Sequence, residues 1–351
     1  MFLVGIFTNN SLKVPPAADP TKKYIFDTFS STMKPFEREY VFYNILGEKY
    51  KEICNENKED TKELTGYISD SFSLPGELSL ERALTEPMLL EDLGDSGYKM
   101  WEDEFNGLDL AHTMKVMEAL GKHHAMGIAF VEKMQTFENE IYEDLLLPEF
   151  STLFTDDAFK IMHNAVQFMI DWMKENKYDA ESTKKMEYYR DNVGAEFQVI
   201  YEGFKDLQPQ SFTHGDCRAN NFMFKYATDG KTPIGVKIVD FQSWFKCPPF
   251  AELSYFLFSS ASSDILTSNF DPIFSAYYTS MAGVLARLNY SKQRPSRVEL
   301  RDLFLKTAIS GFLSTCNMLN IVFSGNPDLS KEVKDKRITN LLNTAKYFDI
   351  I

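Results

Sequence analysis

The amino-acid sequence predicts an α+β fold with two lobes, a small antiparallel-sheet amino lobe and a large helical carboxy lobe. Three observations lead to this prediction. Short strand-like segments separated by turn residues fill the beginning of the chain, long stretches with helical periodicity fill the rest, and one clear β-hairpin lies among those helices. A chain of 351 residues is long enough for two such units. We therefore predict an amino lobe over residues 1–95 and a carboxy lobe over residues 96–351, with a ligand cleft between them.

A β-hairpin opens the predicted amino lobe. Residues 2–7 are an apolar strand, residues 8–11 are turn formers, and a second strand begins at residue 12 and ends at two prolines. A helix is predicted over residues 36–46, because Phe36, Tyr40 and Tyr43 recur at helical spacing. The other predictions for this lobe are a charged surface loop at 54–62, short strands at 64–72, 78–84 and 88–90, and a turn at 92–97.

The predicted carboxy lobe is dominated by four segments with the 3.6-residue periodicity of amphipathic helices, at 108–131, 157–176, 182–204 and 297–323. Residues 221–226 and 235–239 have strand character instead, and the turn formers Ala227-Thr228-Asp229-Gly230 follow the first of them, which predicts a β-hairpin. His123 and His124 lie near the end of the first long helix. We expect them to be packing and solvent-facing residues rather than metal ligands, since no cysteine or HExxH pattern accompanies them.

The charge balance excludes some classes of partner. The chain has 37 Lys and Arg against 51 Asp and Glu, a net charge of −14, so a nucleic-acid partner or an anionic membrane is disfavoured. No run of residues approaches the ~20 apolar positions of a membrane span. The amino terminus lacks the basic region of a signal peptide, and the four cysteines lie far apart. These features predict a cytoplasmic protein.

One constellation carries the chemistry. His214 and Asp216 precede the first strand of the predicted hairpin, Asn221 begins that strand, and Asp240 directly follows the second strand. Two carboxylates and one amide therefore meet at the same end of one hairpin. Phosphoryl transfer needs such a set: one carboxylate orients and deprotonates the attacking hydroxyl, while an amide and a second carboxylate hold Mg²⁺ against nucleotide phosphates. The spacing is typical of a kinase catalytic loop followed by a metal-binding Asp.

These motifs resemble those of a known family. Thr213-His214-Gly215-Asp216 with Asn221, followed by Ile238-Val239-Asp240-Phe241-Gln242, resembles the choline kinase and aminoglycoside phosphotransferase group. Within that group the sequence is most similar to the ecdysteroid kinase-like (CHK kinase-like) family, which implies a protein-kinase-like fold. Further similar segments lie at residues 12–16, 36–43, 89–93, 120–125 and 252–256.

The resemblance implies a role for each matching residue. Asp216 would be the catalytic base, His214 would brace the catalytic loop, and Asn221 and Asp240 would bind Mg²⁺. Lys13 would contact the α- and β-phosphates of ATP and form an ion pair with Glu39. The backbone of Glu91, Asp92 and Leu93 would meet the adenine. Arg218, two residues after the base, is a cation that could stabilise charge on the transferring phosphoryl group.

Three departures from the family pattern concern the nucleotide and the loop, and one of them is Arg218, which stands where family members often carry an aromatic or small residue. Only twelve residues precede Lys13, too few for the strand and Gly-rich loop that cover the phosphates in the family, so we expect a shortened amino lobe. Glu252 stands where an Asp is usual.

The function predicted from this pattern is transfer of the γ-phosphoryl group of ATP to a hydroxyl of a small acceptor, ecdysteroid-like or amino-alcohol-like. The alternative is a catalytically impaired kinase-like binding protein. A protein kinase acting on peptides is a lower-ranked possibility, because Pro248-Pro249 leaves little room for an activation loop.

Overall fold

The structure is a computed structural model, and it describes residues 5–7, 10–13, 34–72, 88–102, 107–133, 156–290, 292 and 294–351. Four strands near the amino end form an antiparallel sheet in the order β1-β2-β4-β3. Their bounds are β1 Gly5–Phe7, β2 Asn10–Lys13, β3 Ser71–Phe72 and β4 Met88–Glu91. Phe7 pairs with Asn10, so the predicted opening hairpin is confirmed, and its second strand begins two residues earlier than expected. The strand predicted at 88–90 is also confirmed, whereas the one predicted at 78–84 lies outside the described residues.

A continuous helical run lies between β2 and β3 and contains one π-helical turn. It consists of α1 Pro35–Val41, a π-helical segment Phe42–Leu46 and α2 Gly47–Glu56. This confirms the predicted helix over 36–46, but the run continues ten residues further. The surface loop predicted at 54–62 is therefore partly wrong. Cys54 is fully buried on α2, and a short helix, α3 Thr61–Thr65, is capped by the Asp60 carboxylate. The stretch is charged because it contains the solvent-facing sides of two helices.

The carboxy half is built on seven helices among the described residues: α4 Leu110–Lys133, α5 Asp156–Glu175, α6 Ala180–Phe204, α7 Pro249–Ser260, α8 Ser263–Arg287, α9 Arg297–Gly325 and α10 Lys331–Tyr347. The four helices predicted from periodicity are α4, α5, α6 and α9, and their ends agree with the structure to within two residues. Helix α8 is kinked near Asn269, whose φ of −136° is not helical, and Pro272 follows three residues later.

Two further small sheets lie among these helices. The first has the order β5-β7-β8, with β5 Tyr98–Met100, β7 Phe222–Tyr226 and β8 Pro233–Ile238. The second pairs β6 Ser211–Thr213 with β9 Phe245–Cys247. The β7–β8 hairpin was predicted and is confirmed. The β6–β9 pair was not predicted, because three-residue strands are too short to show an alternating pattern.

The register of the β7–β8 hairpin decides where the functional side chains lie. Phe222 pairs with Ile238, and the Val239 N–H donates to the Asn221 carbonyl over 3.0 Å. The segment after α3 is attached to the same strand, since the Ile238 N–H donates to the Tyr67 carbonyl over 2.8 Å. The small antiparallel sheets and the many helices confirm the predicted α+β kinase-like fold. The division of the chain at residue 95 stays a prediction.

Within the part of the chain that the structure describes, one helix, α9, is long and apolar enough to span a membrane by length and composition alone. Half of its most apolar window is buried inside the protein, where Phe304, Phe312 and Leu319 belong to the core. Core helices of soluble proteins pass the same test, so this helix is weak evidence for a membrane span.

Candidate active site

His214 ties the predicted catalytic loop to the end of the neighbouring strand. Its imidazole is fully buried. Nε2 lies 2.8 Å from the Val239 carbonyl, and the Asp216 N–H donates to Nδ1 over 3.2 Å. A neutral ring with its proton on Nε2 satisfies both contacts. His214 therefore joins the start of the loop to the segment that leads into Asp240.

Gly215 is required by both its conformation and its surroundings. Its φ is +80°, in the left-handed region that glycine adopts most readily. A Cβ at this position would lie 2.7 Å from the carbonyl carbon of Ser243 and would clash with the Ser243 oxygen. The loop therefore passes directly against the segment after Asp240. This contact explains why the residue after His214 is Gly.

A buried network holds this loop from the other side. The Gly215 N–H donates to Glu252 Oε1 over 2.8 Å, and Glu252 Oε2 lies 2.7 Å from His124 Nε2. His124 Nδ1 lies 3.0 Å from the hydroxyl of Tyr277. The solvent-facing placement predicted for His123 and His124 is wrong. Both rings are fully buried, because this end of α4 packs against α8 and β6.

Asp216, the predicted catalytic base, has hydrogen-bond donors on both carboxylate oxygens. Arg218 Nε lies 3.1 Å from Oδ1 and from Oδ2. The Tyr255 hydroxyl donates to Oδ1 over 3.2 Å, and Asn221 Nδ2 donates to Oδ2 over 3.1 Å. The pKa of Arg218 is raised. Partial burial alone would lower it, but the charge of Asp216 and the hydrogen bond between Arg218 and Asp216 outweigh that effect, with smaller contributions from Tyr255 and Asp240. Arg218 and Asp216 therefore form an ion pair within the site.

Asn221 and Asp240 are the two predicted Mg²⁺ ligands. Asn221 is buried, and its amide nitrogen donates to Asp216. Its Oδ1 accepts no hydrogen bond from any described residue. Asp240 Oδ2 accepts a hydrogen bond from Gln242 over 3.2 Å. The described residues contain no cluster of three or more His, Cys, Asp or Glu side chains that could hold a metal. Mg²⁺ commonly uses one or two protein oxygens together with substrate phosphates and water, and this pair fits that requirement.

Asp240 begins a strained turn packed against the helical run α1–α2. Its φ of 68° and ψ of 52° are left-handed, a conformation that Asp tolerates better than most residues. Phe241, the next residue, stacks on Phe42 of the π-helical segment, with ring centroids 3.6 Å apart and planes 8° apart. Burial raises the pKa of the neighbouring Tyr43 well above its usual value, and the charges of Glu39 and Asp240 raise it further. The turn that begins at Asp240 therefore adjoins the helical run that bears Glu39.

Arg38 and Trp244 join the same two elements, a contact that sequence reasoning missed. The Arg38 guanidinium donates to the Trp244 carbonyl over 2.8 Å, and the indole N–H donates to the Arg38 carbonyl over 2.5 Å. The guanidinium carbon also lies 5.8 Å from the centroid of the indole ring. Burial lowers the pKa of Arg38 to about 10, so the group stays charged at neutral pH.

The nucleotide contacts expected in the amino half are described only in part. Glu39 is buried, at 3% exposure. Lys13 is paired with Met88 at the end of β2, but its side chain lies outside the described part of the structure. The ion pair between Lys13 and Glu39 therefore stays a prediction.

The expected adenine-binding segment is ordered by local hydrogen bonds. Glu91 accepts a hydrogen bond from the Ser96 hydroxyl over 2.7 Å and lies 3.4 Å from the Lys237 ammonium group. Burial opposes ionisation of Glu91, but Ser96 and Lys237 outweigh it and lower its pKa. The Asp92 carboxylate accepts hydrogen bonds from the next turn, and the Leu93 carbonyl accepts one from Tyr98. The backbone N–H of Leu93 donates to no described residue.

Tyr255 is the second site residue that sequence reasoning missed. A signal for it existed, because Tyr255 lies three residues after Glu252 on α7, and that spacing places two side chains on the same face of a helix. No comparable signal existed for Arg38 and Trp244, which are 206 residues apart in sequence.

The sequence profile described as the ecdysteroid kinase-like family matches residues 11–290. This match spans the predicted catalytic loop and the turn at Asp240. The chain belongs to the ecdysteroid kinase-like family. A comparison with curated protein sequences finds no match.

Several solved structures resemble this ecdysteroid kinase-like chain at low identity. A choline/ethanolamine kinase family protein from Mesorhizobium loti is 12% identical with a TM-score of 0.44, over 100% of this chain and 91% of that one. An ethanolamine kinase from Plasmodium vivax is 10% identical with a TM-score of 0.44, over 100% and 84%. A choline kinase from Cryptosporidium parvum is 13% identical with a TM-score of 0.40, over 87% and 79%. These scores are low, and the family assignment rests on the profile match.

Proposed function

We propose that this protein is an ATP-dependent phosphotransferase that moves the γ-phosphoryl group of ATP to a hydroxyl of a small molecule, with Mg²⁺ as cofactor. Membership in the ecdysteroid kinase-like family supports a phosphotransferase. The acceptor class we favour is ecdysteroid-like or amino-alcohol-like, and we place the reaction in the cytoplasm, without a nucleic-acid or membrane partner.

One observation carries this proposal: the Asp216 carboxylate accepts hydrogen bonds from Asn221 and Arg218, and the Asn221 carbonyl accepts one from Val239, the residue before Asp240. In the proposed reaction Asp216 accepts the proton of the acceptor hydroxyl. The acceptor oxygen then bonds to the γ-phosphorus, the bond from that phosphorus to the β–γ bridging oxygen breaks, and ADP leaves. Arg218 supplies positive charge beside the transferring group.

Asn221 Oδ1 and the Asp240 carboxylate are the groups that we assign to Mg²⁺. When bound, the ion neutralises charge on the nucleotide phosphates. We assign Lys13 to the α- and β-phosphates, with Glu39 as its ion-pair partner. Among the three expected adenine-binding residues, the N–H of Glu91 donates to Asp70, whereas those of Asp92 and Leu93 donate to no described residue, and we assign these two N–H groups to the adenine ring.

A kinase-like binding protein with impaired turnover is the second candidate. The observation that favours it is the ion pair between Arg218 and Asp216, which occupies both oxygens of the proposed base. A phosphotransferase must release this pair before an acceptor hydroxyl can reach Asp216, whereas a binding protein has no such requirement.

Transfer of radiolabelled γ-phosphate distinguishes the two candidates. The protein is incubated with MgATP and either a polyhydroxylated steroid or a short amino alcohol, beside the Asp216→Asn and Asp229→Asn variants. Asp229 lies in the turn at the far end of the same hairpin, so its variant is the control. We expect transfer that Asp216→Asn lowers roughly 100- to 10,000-fold and Asp229→Asn leaves unchanged. Thermal stabilisation by MgATP without any transfer supports the binding protein instead.

A further inference from the structure

The three donors that surround the Asp216 carboxylate differ in how firmly they are held. Asn221 is buried and also donates to the Asp216 backbone carbonyl over 2.7 Å, so it is part of the loop itself. Tyr255 projects from α7 and packs against the main hydrophobic core. Arg218, by contrast, leaves 30% of its side chain exposed on a long flexible stem. Of the three donors, Arg218 is therefore the one that can leave at the lowest cost.

Arg218 is also the donor that an incoming nucleotide attracts. ATP brings several negative charges into a site where Arg218 is already paired with the Asp216 carboxylate. A guanidinium group binds phosphate oxygens at least as well as it binds a carboxylate, because its donors match either acceptor in pairs. When Arg218 turns towards the phosphates, one donor leaves both oxygens of Asp216 and makes room for the acceptor hydroxyl.

Tyr255 remains when that exchange is complete. Burial raises the pKa of its hydroxyl well above the usual value, and the negative charge of Asp216 raises it further, so the group stays protonated. A protonated hydroxyl beside a carboxylate can only donate to it. It holds Oδ1, while Asn221 holds Oδ2. Together these two donors fix the plane of the carboxylate after Arg218 has gone.

We propose that Tyr255 is the positioning residue of Asp216. Its hydroxyl keeps the Asp216 carboxylate aligned while Arg218 leaves that carboxylate and binds the phosphates of the nucleotide instead. This inference rests on the phosphotransferase function proposed above. It adds a residue that acts through the base and an order of events, in which the nucleotide uncovers the base before the acceptor reaches it.

Three variants test the two halves of the inference. Tyr255→Phe keeps the ring and removes the hydroxyl that donates to Asp216. Arg218→Gln removes the charge. Tyr189→Phe, on α6, removes a comparable tyrosine hydroxyl, one that donates to the Ile350 carbonyl over 3.0 Å, and serves as the control.

We expect Tyr255→Phe to lower kcat roughly 10- to 100-fold with less than about a twofold change in the KM for MgATP, since one hydrogen bond to a charged group is lost. Arg218→Gln is expected to weaken binding of Mg²⁺ and the non-hydrolysable analogue AMP-PNP by roughly tenfold or more, whereas Tyr255→Phe is not. A change in KM without a change in kcat for Tyr255→Phe would overturn the positioning role, and unchanged analogue binding by Arg218→Gln would overturn the exchange.

A measurement without turnover separates this inference from the proposed function. The ¹³C carboxyl resonance of Asp216, assigned by its loss in Asp216→Asn, is recorded with Mg²⁺ and AMP-PNP. The wild-type protein is expected to give one narrow line, and Tyr255→Phe a line broadened by reorientation of the carboxylate. Equal line widths in the two proteins contradict the positioning role. A protein that transfers no phosphoryl group but shows this difference refutes the proposed function, while the alignment of the Asp216 carboxylate by Tyr255 still holds.

Discussion

Arg38 and Trp244 hold each other by two reciprocal hydrogen bonds, side chain to backbone in both directions. Arg38 precedes Glu39 on α1, and Trp244 follows Asp240 by four residues. The pair therefore fixes the helix that carries one predicted nucleotide-site residue against the turn that carries a predicted metal ligand. Because both side chains are almost completely buried, a partner left alone has no water to replace its lost hydrogen bond.

Breaking this pair is expected to destabilise the protein. Trp244→Phe removes the donor to the Arg38 carbonyl, and Arg38→Met removes the donor to the Trp244 carbonyl. Each change should lower the free energy of unfolding by about 1–3 kcal/mol. The double variant should lose less than the sum of the two, because the partners are coupled.

Urea unfolding measures the stability of all three variants. Arg301→Met, which removes an exposed arginine that pairs with Asp271, is the control and should change stability little. Strict additivity of the two buried substitutions would contradict the coupling.

Two glycines with positive φ offer a matched test of the close approach at the catalytic loop. Gly215 has φ +80° and would place a Cβ against Ser243, whereas Gly230 has φ +67° and nothing within 4 Å. Gly230→Ala should cost about 1 kcal/mol, the penalty for a left-handed alanine. Gly215→Ala carries the same penalty and must also displace the loop, so its loss should exceed that of Gly230→Ala by at least about 2 kcal/mol. Chemical denaturation compares the two variants, and equal losses would show that the loop and the turn are not in contact.

The buried network behind the loop predicts an effect on both stability and loop order. Glu252→Gln keeps the shape of the side chain and its acceptor for Gly215, but it weakens the charged contact with His124. We expect a loss of about 1–3 kcal/mol in unfolding free energy. Amide hydrogen exchange at residues 214–218 should become faster, whereas exchange in α9 should not change. Unaltered exchange in the loop would mean that His214 alone is sufficient to hold it.

His123 predicts a pH dependence of stability. Burial lowers the pKa of His123 well below the ordinary value of 6.5, and the neighbouring rings of His124 and His214 lower it further. The native ring therefore stays neutral while the unfolded chain takes up a proton below pH 6.5. Stability that is complete above that pH is lost as the pH falls, by up to about 2 kcal/mol at pH 5.

The test of this pH dependence is His123→Phe, which keeps an aromatic ring and removes two nitrogens that have no hydrogen-bond partner among the described residues. Urea unfolding at pH 7.5, 6.5 and 5 should show a smaller acid loss in this variant than in the wild-type protein, and equal or higher stability at pH 7.5. His163→Gln, at an exposed position, should follow the wild-type curve. An acid loss in His123→Phe as large as in the wild-type protein would mean that other groups cause it.

Local sequence signals predicted much of this fold. Residues Leu110–Lys133 and Arg297–Gly325 repeat apolar side chains over many turns, which averages out individual exceptions. The β7–β8 hairpin was predictable because a strong turn at Ala227–Gly230 lies beside alternating strands. The three-residue strands β6 and β9 have no such signal, and neither does the π-helical segment, whose wide turn reflects tertiary packing around Phe42.

The candidate site was predictable where its members lie close in sequence and not where they meet through the fold. Asp216, Asn221 and Asp240 lie within one loop and hairpin, so their spacing alone placed them together. The buried positions of Glu39 and His124 depend on helices packing against distant segments. The hydrogen bonds between Arg38 and Trp244 likewise join residues 206 apart in sequence, which periodicity cannot relate to one another.

The β7–β8 hairpin has a practical consequence for experiments on this protein. Its turn is exposed, with the Asp229 carboxylate accepting hydrogen bonds from residues 231 and 232, and it lies at the end of the strands opposite Asn221 and Asp240. Loop tips of this kind tolerate inserted sequence. A short peptide tag or a fluorophore attached between Asp229 and Gly230 would therefore report on the hairpin from its outer end, with the ligand-bearing end left in its native register.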